Sequence, residues 1–503
     1  MSFKIFKRCP KSKRIIGIDF KSKGLWMLLP VTGFIALLWY LVRVIPKPTR
    51  ATYPCMQVAQ PLAVSFLAYL GSLFGITYLM KKLSVNLKNR KIVFASLFVI
   101  LVGLGISVNF LLSNNQHALA EATFVPQDSA NQPVGTAKGI FPGRVTWAHN
   151  PNAVSWDGSG QWYDKKFNDQ TAINELLTGV VKSVSGGTDV KDAWDKLFKF
   201  YNLNHGKGNV GYANNEKIAI KINLNNMYSG NRIDASPQLI YALLNQLVNK
   251  AAVPQENILI YDAQKNAFQP IKNYCQNDFP RVKYNNWGTW VKKSIKYSSQ
   301  VNNETNKGTW LPSEVINTNY LINMAILKRH QVIAPITLTF KNHFGTVGSP
   351  SEMHSYVMDQ DSGMNSYNAL VDIMGSKYLG GKTVLFILDG LYTADMYNGQ
   401  PRKWRLAPFN NQYPASVFAS MDPVAMDSVG IDFLRSEMSL WQNADNYLHE
   451  AAQAGNSPSG VKYKPDGVLL NSLGVHEHWN NSSEKKYSKN LGTGNGIELV
   501  KVN

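Results

Sequence analysis

Three uncharged apolar stretches crowd the N-terminal quarter of the chain and decide what that part can fold into. Residues 25–42, 63–80 and 92–112 are 18, 18 and 21 residues long and contain no Asp, Glu, Lys or Arg. At about 1.5 Å per residue each reaches across a hydrocarbon core about 30 Å thick. In lipid a single segment satisfies its own backbone polar groups only as a helix. Three transmembrane helices are therefore expected, forming a membrane anchor over 1–112. Ala63, Ala68, Gly71 and Gly75 in the second stretch, and Gly103 and Gly105 in the third, suit close helix packing. With no charge inside any stretch, an ion or proton pathway is not expected there.

The net charge of +19 suggests nucleic acid at first sight, but its distribution points elsewhere. Residues 1–112 carry 16 Lys and Arg and one acid, Asp19, which leaves 36 basic against 32 acidic residues in 113–503. Eight basic residues precede the first stretch and five (Lys81, Lys82, Lys88, Arg90, Lys91) separate the second from the third, against three (Arg43, Lys47, Arg50) between the first two. By the positive-inside rule the N-terminus and second loop face the cytoplasm. The expected location is a multi-pass protein of the inner (cytoplasmic) membrane with its large C-terminal domain periplasmic or extracellular. The expected partners are the lipid bilayer and an envelope protein, and no nucleic acid. Ala118-Leu119-Ala120 has the small-x-small form of a signal-peptidase site, but two stretches precede it, so retention of the anchor is expected.

Cys9, Cys55 and Cys275 are the three cysteines. No Cys-x-x-Cys occurs, so no iron–sulfur cluster is expected. Cys55 and Cys275 would share the oxidising side, but two unpaired thiols are the simpler expectation. Residues 113–139 are polar with Pro and Gly and read as a linker. The folded domain is expected over 140–503.

In that domain strand and helix signals alternate. Strands are expected at 145–147, 217–224, 258–261, 320–327, 336–340, 383–388 and 415–419. Helices are expected at 170–185, 190–201, 236–250 and 424–434. The order predicts an α/β fold, one large mostly parallel sheet covered by helices. Trp156 and Trp162 lie in an aromatic loop that could stack on a ring but reads better as the loop's own small core.

The functional signal is concentrated in 327–345, LKRHQVIAPITLTFKNHFG, which holds Lys328-Arg329-His330 and Lys341-Asn342-His343. Alternation over 336–340 predicts a half-buried strand with Lys-Asn-His-Phe-Gly as the turn at its carboxyl end. Ligands in open α/β sheets bind at the carboxyl ends of strands. By that rule Lys221, Asn223 and Asn225, Asp262, Lys328, Asp389 and Asp422 also belong to one rim, with Asp427 on the following helix. Lysines beside carboxylates and amides suit an anionic substrate. Histidines offer a divalent metal as a second option: His343, His354, His476 and His478, the last two as His476-Glu477-His478, with His449 nearby in sequence. Gly380-Gly381-Lys382-Thr383 precedes a strand, lacks an upstream glycine, and is no phosphate loop. No Gly-x-Ser-x-Gly elbow is present.

The pattern at 328–345 resembles the domain of unknown function 362. So do KIAIKINLN at 217–225, LGGKTVLFILDGLY at 379–392 and FASMDPVAMDSVGIDFL at 418–434, and the three apolar stretches resemble those of a membrane-anchored subgroup. The resemblance covers roughly 140–500 and implies a shared site at the strand-end Lys, Asn, His and Asp residues, with no settled activity. Some members carry iron–sulfur domains, and this chain lacks the clustered cysteines for one. The expectation is an enzyme acting on a polar or anionic small molecule or envelope component. Lys221, Asn223, Asn225 and Asn342 would bind substrate; Lys328, His330, Lys341, His343, Asp389 and Asp427 would form the catalytic set. The alternative is a non-catalytic binding or assembly subunit of an envelope complex.

Overall fold

The computed structural model describes residues 6–8, 15–18, 25–44, 63, 66–67, 126–284, 289–299, 309–330, 335–348, 350 and 363–502. The chain divides into two compact units, 1–121 and 122–503. In the first, Phe6–Arg8 and Ile15–Ile18 pair antiparallel, and Leu25–Val44 forms a 20-residue helix over the first apolar stretch. Side chains of that helix are described only from Phe34 to Arg43. Among the described residues no helix is long and apolar enough to cross a membrane. The second stretch is described only at Ala63, Phe66 and Leu67; the third stretch, Cys9, Cys55, Ala120 and His354 lie outside the described residues.

The second unit is built on an eight-stranded sheet. Its order is Glu498–Val502, Arg144–His149, Ser416–Ser420, Thr383–Gly390, Tyr320–Ile326, Ile218–Lys221, Ile258–Tyr261 and Lys283–Tyr284. Every neighbouring pair is parallel except the two that involve Ser416–Ser420, so seven strands run one way and one runs against them. The expected mixed α/β fold with a mostly parallel sheet is the fold observed. Tyr320–Ile326 is buried along its whole length, as a central parallel strand covered on both faces must be.

Local chemistry starts and stops the helices where the sequence indicates. Asp169 accepts from the amides of Thr171 and Ala172 to open Gln170–Ser185, and Gly186, at φ 68°, closes it. Asp422 accepts from Val424 and Ala425, with Pro423 in the first turn of Pro423–Glu437. Trp156 and Trp162 are buried; Trp162 packs edge-on to Tyr163 and Tyr392 and donates to the carbonyl of Arg232. That loop is a small aromatic core. Cys275 is a buried free thiol.

Three differences from expectation affect the site. Residues 336–340 are not a sheet strand: Ile336–Thr337 pairs antiparallel with Lys328–Arg329, and Thr339–Asn342 turns helical at once. The cause is distant in sequence, because the Asp427 carboxylate accepts from the Thr339 and Phe340 amides and draws the chain into a helical turn. Second, because Ser416–Ser420 runs antiparallel, Asp422 leaves the sheet at the rim opposite Asp389. Third, part of the polar segment before Ile140 is built into the fold, as Val134–Gly135 pairs with Val475–His476.

Candidate functional site

Parallel strands deliver their carboxyl ends to one rim, and a cavity of about 250 Å³ opens there. Ile218–Lys221 sends Asn223 and Asn225 to its wall, Ile258–Tyr261 sends Asp262, and the 328–345 segment adds His330, Thr337, Lys341 and Asn342. Six of the expected residues therefore converge: Asn223, Asn225, Asp262, His330, Lys341 and Asn342.

Lys341 decides what this cavity can hold. Its side chain is buried, and its ammonium makes no hydrogen bond to any described residue. The ammonium sits 3.2 Å above the centre of the Phe344 ring. This cation–π contact replaces only part of the lost hydration. Burial holds its pKa well below the ordinary 10.5. Asn223 Oδ1 and Thr337 Oγ1, on the same wall, are also buried without a hydrogen bond among the described residues. Each such group costs about 1–3 kcal/mol, more when charged, unless something fills its valence. The Lys341 ammonium and the Thr337 hydroxyl can donate to an anionic oxygen, and Asn223 Oδ1 can accept from a hydroxyl of the same ligand.

Beneath the cavity floor the polar groups are saturated. Lys221 is fully buried, donates to the Ile222 carbonyl at 2.5 Å and to Asn342 Oδ1 at 3.2 Å, and stands 3.5 Å from Asp262. Burial lowers its pKa and Asp262 pulls it back up. Asn342 Nδ2 donates to Asn323 Oδ1 at 2.8 Å, and Asn323 Nδ2 lies 3.1 Å from His343 Nε2. That contact makes Nε2 the acceptor, so His343 is neutral with its proton on Nδ1. Nδ1 faces Thr346 Oγ1 at 3.3 Å. Burial, then Lys221, hold its pKa down to about 3. His343 is therefore a positioning residue, and His330 is the cavity's histidine.

The remaining expected residues lie elsewhere. Lys328 is buried and donates to the carbonyls of Ile233 and Tyr397, each at 3.2 Å. Burial brings its pKa to about 8 against the pull of Asp234. Asp389 accepts from the amides of Ser236 and Leu391, tying down the start of Pro237–Asn249; burial raises its pKa to about 6. Asp427 accepts from Thr339 N, Thr339 Oγ1, Phe340 N and Tyr447 OH, at 2.9, 2.6, 3.2 and 2.9 Å, and burial raises it to about 6. All three hold backbone in place and do not line the cavity. His476 and His478 lie together far along the chain, without His343.

Sequence reasoning passed over Thr337, Gln264, Lys265, Phe344 and Asn323. A lone amide in the otherwise apolar strand YLINMAI was the available signal for Asn323. Gly345 also has a specific reason. A Cβ there would meet Asp262 Oδ1 at 2.6 Å and Lys221 Nζ at 2.7 Å. Gly345→Ala is expected to destabilise the domain by about 1–3 kcal/mol through forced separation of that pair, measured by urea unfolding.

A larger cavity, about 600 Å³, lies at the other end of the sheet, where Thr383 begins its strand. Its histidine, His205, has its ring nitrogens 2.7 and 2.8 Å from the carbonyls of Tyr201 and Gly381 and can donate to them. Size favours that cavity, but the unmet buried charge favours the smaller one, and charge is the more specific sign of a ligand.

No curated protein matches the chain. The model of the family described as Domain of unknown function (DUF362) matches residues 218–432, a segment that contains every residue lining the 250 Å³ cavity. The chain thus carries, over residues 218–432, a segment that matches the domain of unknown function 362 family.

Proposed function

We propose that this is a membrane-anchored protein whose extracytoplasmic domain binds a polar, anionic small molecule or envelope component at the strand-end cavity and acts on it as an enzyme. The observation that carries the reading is the buried ammonium of Lys341, with no hydrogen-bond acceptor among the described residues, at a cavity walled by Asn223, Thr337 and Asn342. An anion there would accept from the Lys341 ammonium and the Thr337 hydroxyl, while Lys265 at the wall adds attraction. His330 is placed to exchange a proton with a bound group. Lys221, Asp262 and His343 fix Asn342 from below. The anchor rests on the three apolar stretches and their flanking charges.

Calorimetric titration of the purified full chain in detergent with inorganic phosphate tests the site. Saturable binding that Lys341→Met removes is expected; equal binding to both proteins, or none to either, would overturn the reading. Affinity should also fall as pH rises through the depressed pKa of Lys341, because only the ammonium attracts an anion. A reporter active only outside the cytoplasm, fused after Asn503, tests the topology: it should be active, and silence in an expressed fusion rejects that placement.

A further inference from the structure

The C-terminal part of the domain gathers a second set of polar groups, outside the family-matched segment and among other elements than the cavity. Val475–His476 pairs with Val134–Gly135, and the Asn131 amide donates to the His478 carbonyl. This brings Asp128 and His476 to the helix Asn446–Ala452, which carries His449, with Asp445 just before it. Asp445 and His449 share one face by their four-residue spacing.

Three atoms in this cluster are buried and without a hydrogen bond among the described residues: His449 Nε2, His476 Nε2 and Asp445 Oδ1. The tautomer of His476 is fixed by its neighbours. Ser428 Oγ donates to the Val424 carbonyl at 2.7 Å, so it can only accept from His476 Nδ1, 2.8 Å away. The proton is therefore on Nδ1, and Nε2 presents a lone pair to the cluster, as a metal-ligating imidazole does. The other histidine of the His-x-His pair is differently engaged. His478 bridges Asp432 Oδ1 at 2.7 Å and Asp445 Oδ2 at 3.1 Å and orients the second carboxylate.

The spacings fit a cation. His449 Nε2 lies 3.4 Å from Asp128 Oδ2 and 3.6 Å from Asp445 Oδ2, and His476 Nε2 lies 4.0 Å from Asp445 Oδ2. Tetrahedral bonds of about 2.0–2.2 Å hold donor atoms about 3.3–3.6 Å apart. The first two match such an edge and the third is longer, so Asp128, His449 and His476 make the compact donor set and Asp445 borders it. Two imidazoles and a carboxylate suit Zn²⁺, Mn²⁺ or Fe²⁺.

We infer that Asp128, His449 and His476 form a site for a divalent first-row metal ion, with Asp445, His478, Asp432 and Ser428 holding the ligands in position. A structural role follows from the placement, since such an ion would clamp the 126–139 segment to the C-terminal elements.

The test uses the full chain in detergent, stripped with EDTA and then given Zn²⁺ alone. About one equivalent should survive desalting and raise the thermal midpoint by several degrees. His449→Ala should lose both effects. Because a ligand variant can misfold, the wild-type protein is also loaded with Co²⁺, whose visible bands report a low-symmetry nitrogen and oxygen set. Zinc retained equally by His449→Ala, or no retained zinc and only the aqueous Co²⁺ spectrum in the wild type, would overturn the site.

Discussion

Lys341→Met is expected to abolish phosphate binding and, in the same protein, to raise the stability of the unliganded domain by about 1–4 kcal/mol, the range seen when buried ionic groups are replaced by apolar ones of similar size. The two effects share a cause. The Lys341 ammonium is buried without an acceptor among the described residues and rests on the Phe344 ring. Methionine has nearly the same length, keeps the aromatic contact and carries no charge to desolvate. The pH dependence follows with a definite sign. Burial depresses the folded-state pKa of Lys341 below the ordinary 10.5. Wild-type stability from this group is then present above the unfolded pKa and is lost as pH falls through the folded one. The advantage of Lys341→Met should therefore be small at high pH, grow as pH falls through that window, and level off below it. Thermal midpoints of both proteins across pH check this. If the methionine variant is the less stable at neutral pH, Lys341 makes a stabilising contact and the binding argument loses its basis. A residue kept at a cost to the fold is the expected signature of a functional group.

The sheet was legible because its strands are unambiguous. Apolar runs such as Ile258–Tyr261 and Thr383–Gly390, bounded by polar residues, admit little but buried parallel strands. The strand-end rule then led to Asn223, Asn225, Lys341 and Asn342 from pattern alone. It could not rank them further, because burial and partners depend on distant residues. Lys328 and Lys341 look alike in sequence. What separates them is that two carbonyls and Asp234 reach Lys328, while no acceptor among the described residues reaches Lys341. His330 and His343 occupy equivalent places in their triplets, yet Asn323, a strand residue, makes His343 a buried acceptor. The direction of Ser416–Ser420 was equally hidden, since a short apolar strand reads the same either way, and with it went the side of the sheet on which Asp422 falls. The Asp445–His449 spacing was present in the sequence. Its meaning depended on Val134–Gly135 folding back across Val475–His476, a pairing that joins opposite ends of the domain.

Asp427→Ala should be the most damaging single change near the site, costing about 3–5 kcal/mol and weakening phosphate binding as well. Asp427 is fully buried on Pro423–Glu437 and accepts four hydrogen bonds, three of them from Thr339 and Phe340. Removing it strands two amides and two hydroxyls in the core, each at about 1–3 kcal/mol before relaxation. It also removes the group that turns 339–342 helical immediately after the Ile336–Thr337 strand. Lys341 and Asn342 ride on that turn, so their aim at the cavity depends on Asp427 although it never touches a ligand. Asp427→Asn keeps the shape and one acceptor oxygen but sets an NH₂ against donors, and should fall between alanine and wild type. Urea unfolding followed by tryptophan fluorescence, with phosphate titration of each variant, separates the roles. Asp427→Ala should lose stability and affinity together, whereas Lys341→Met loses affinity and gains stability. Full affinity in a destabilised Asp427→Ala protein would show that the turn holds its geometry without the carboxylate, and would break the proposed link between the helix and the cavity.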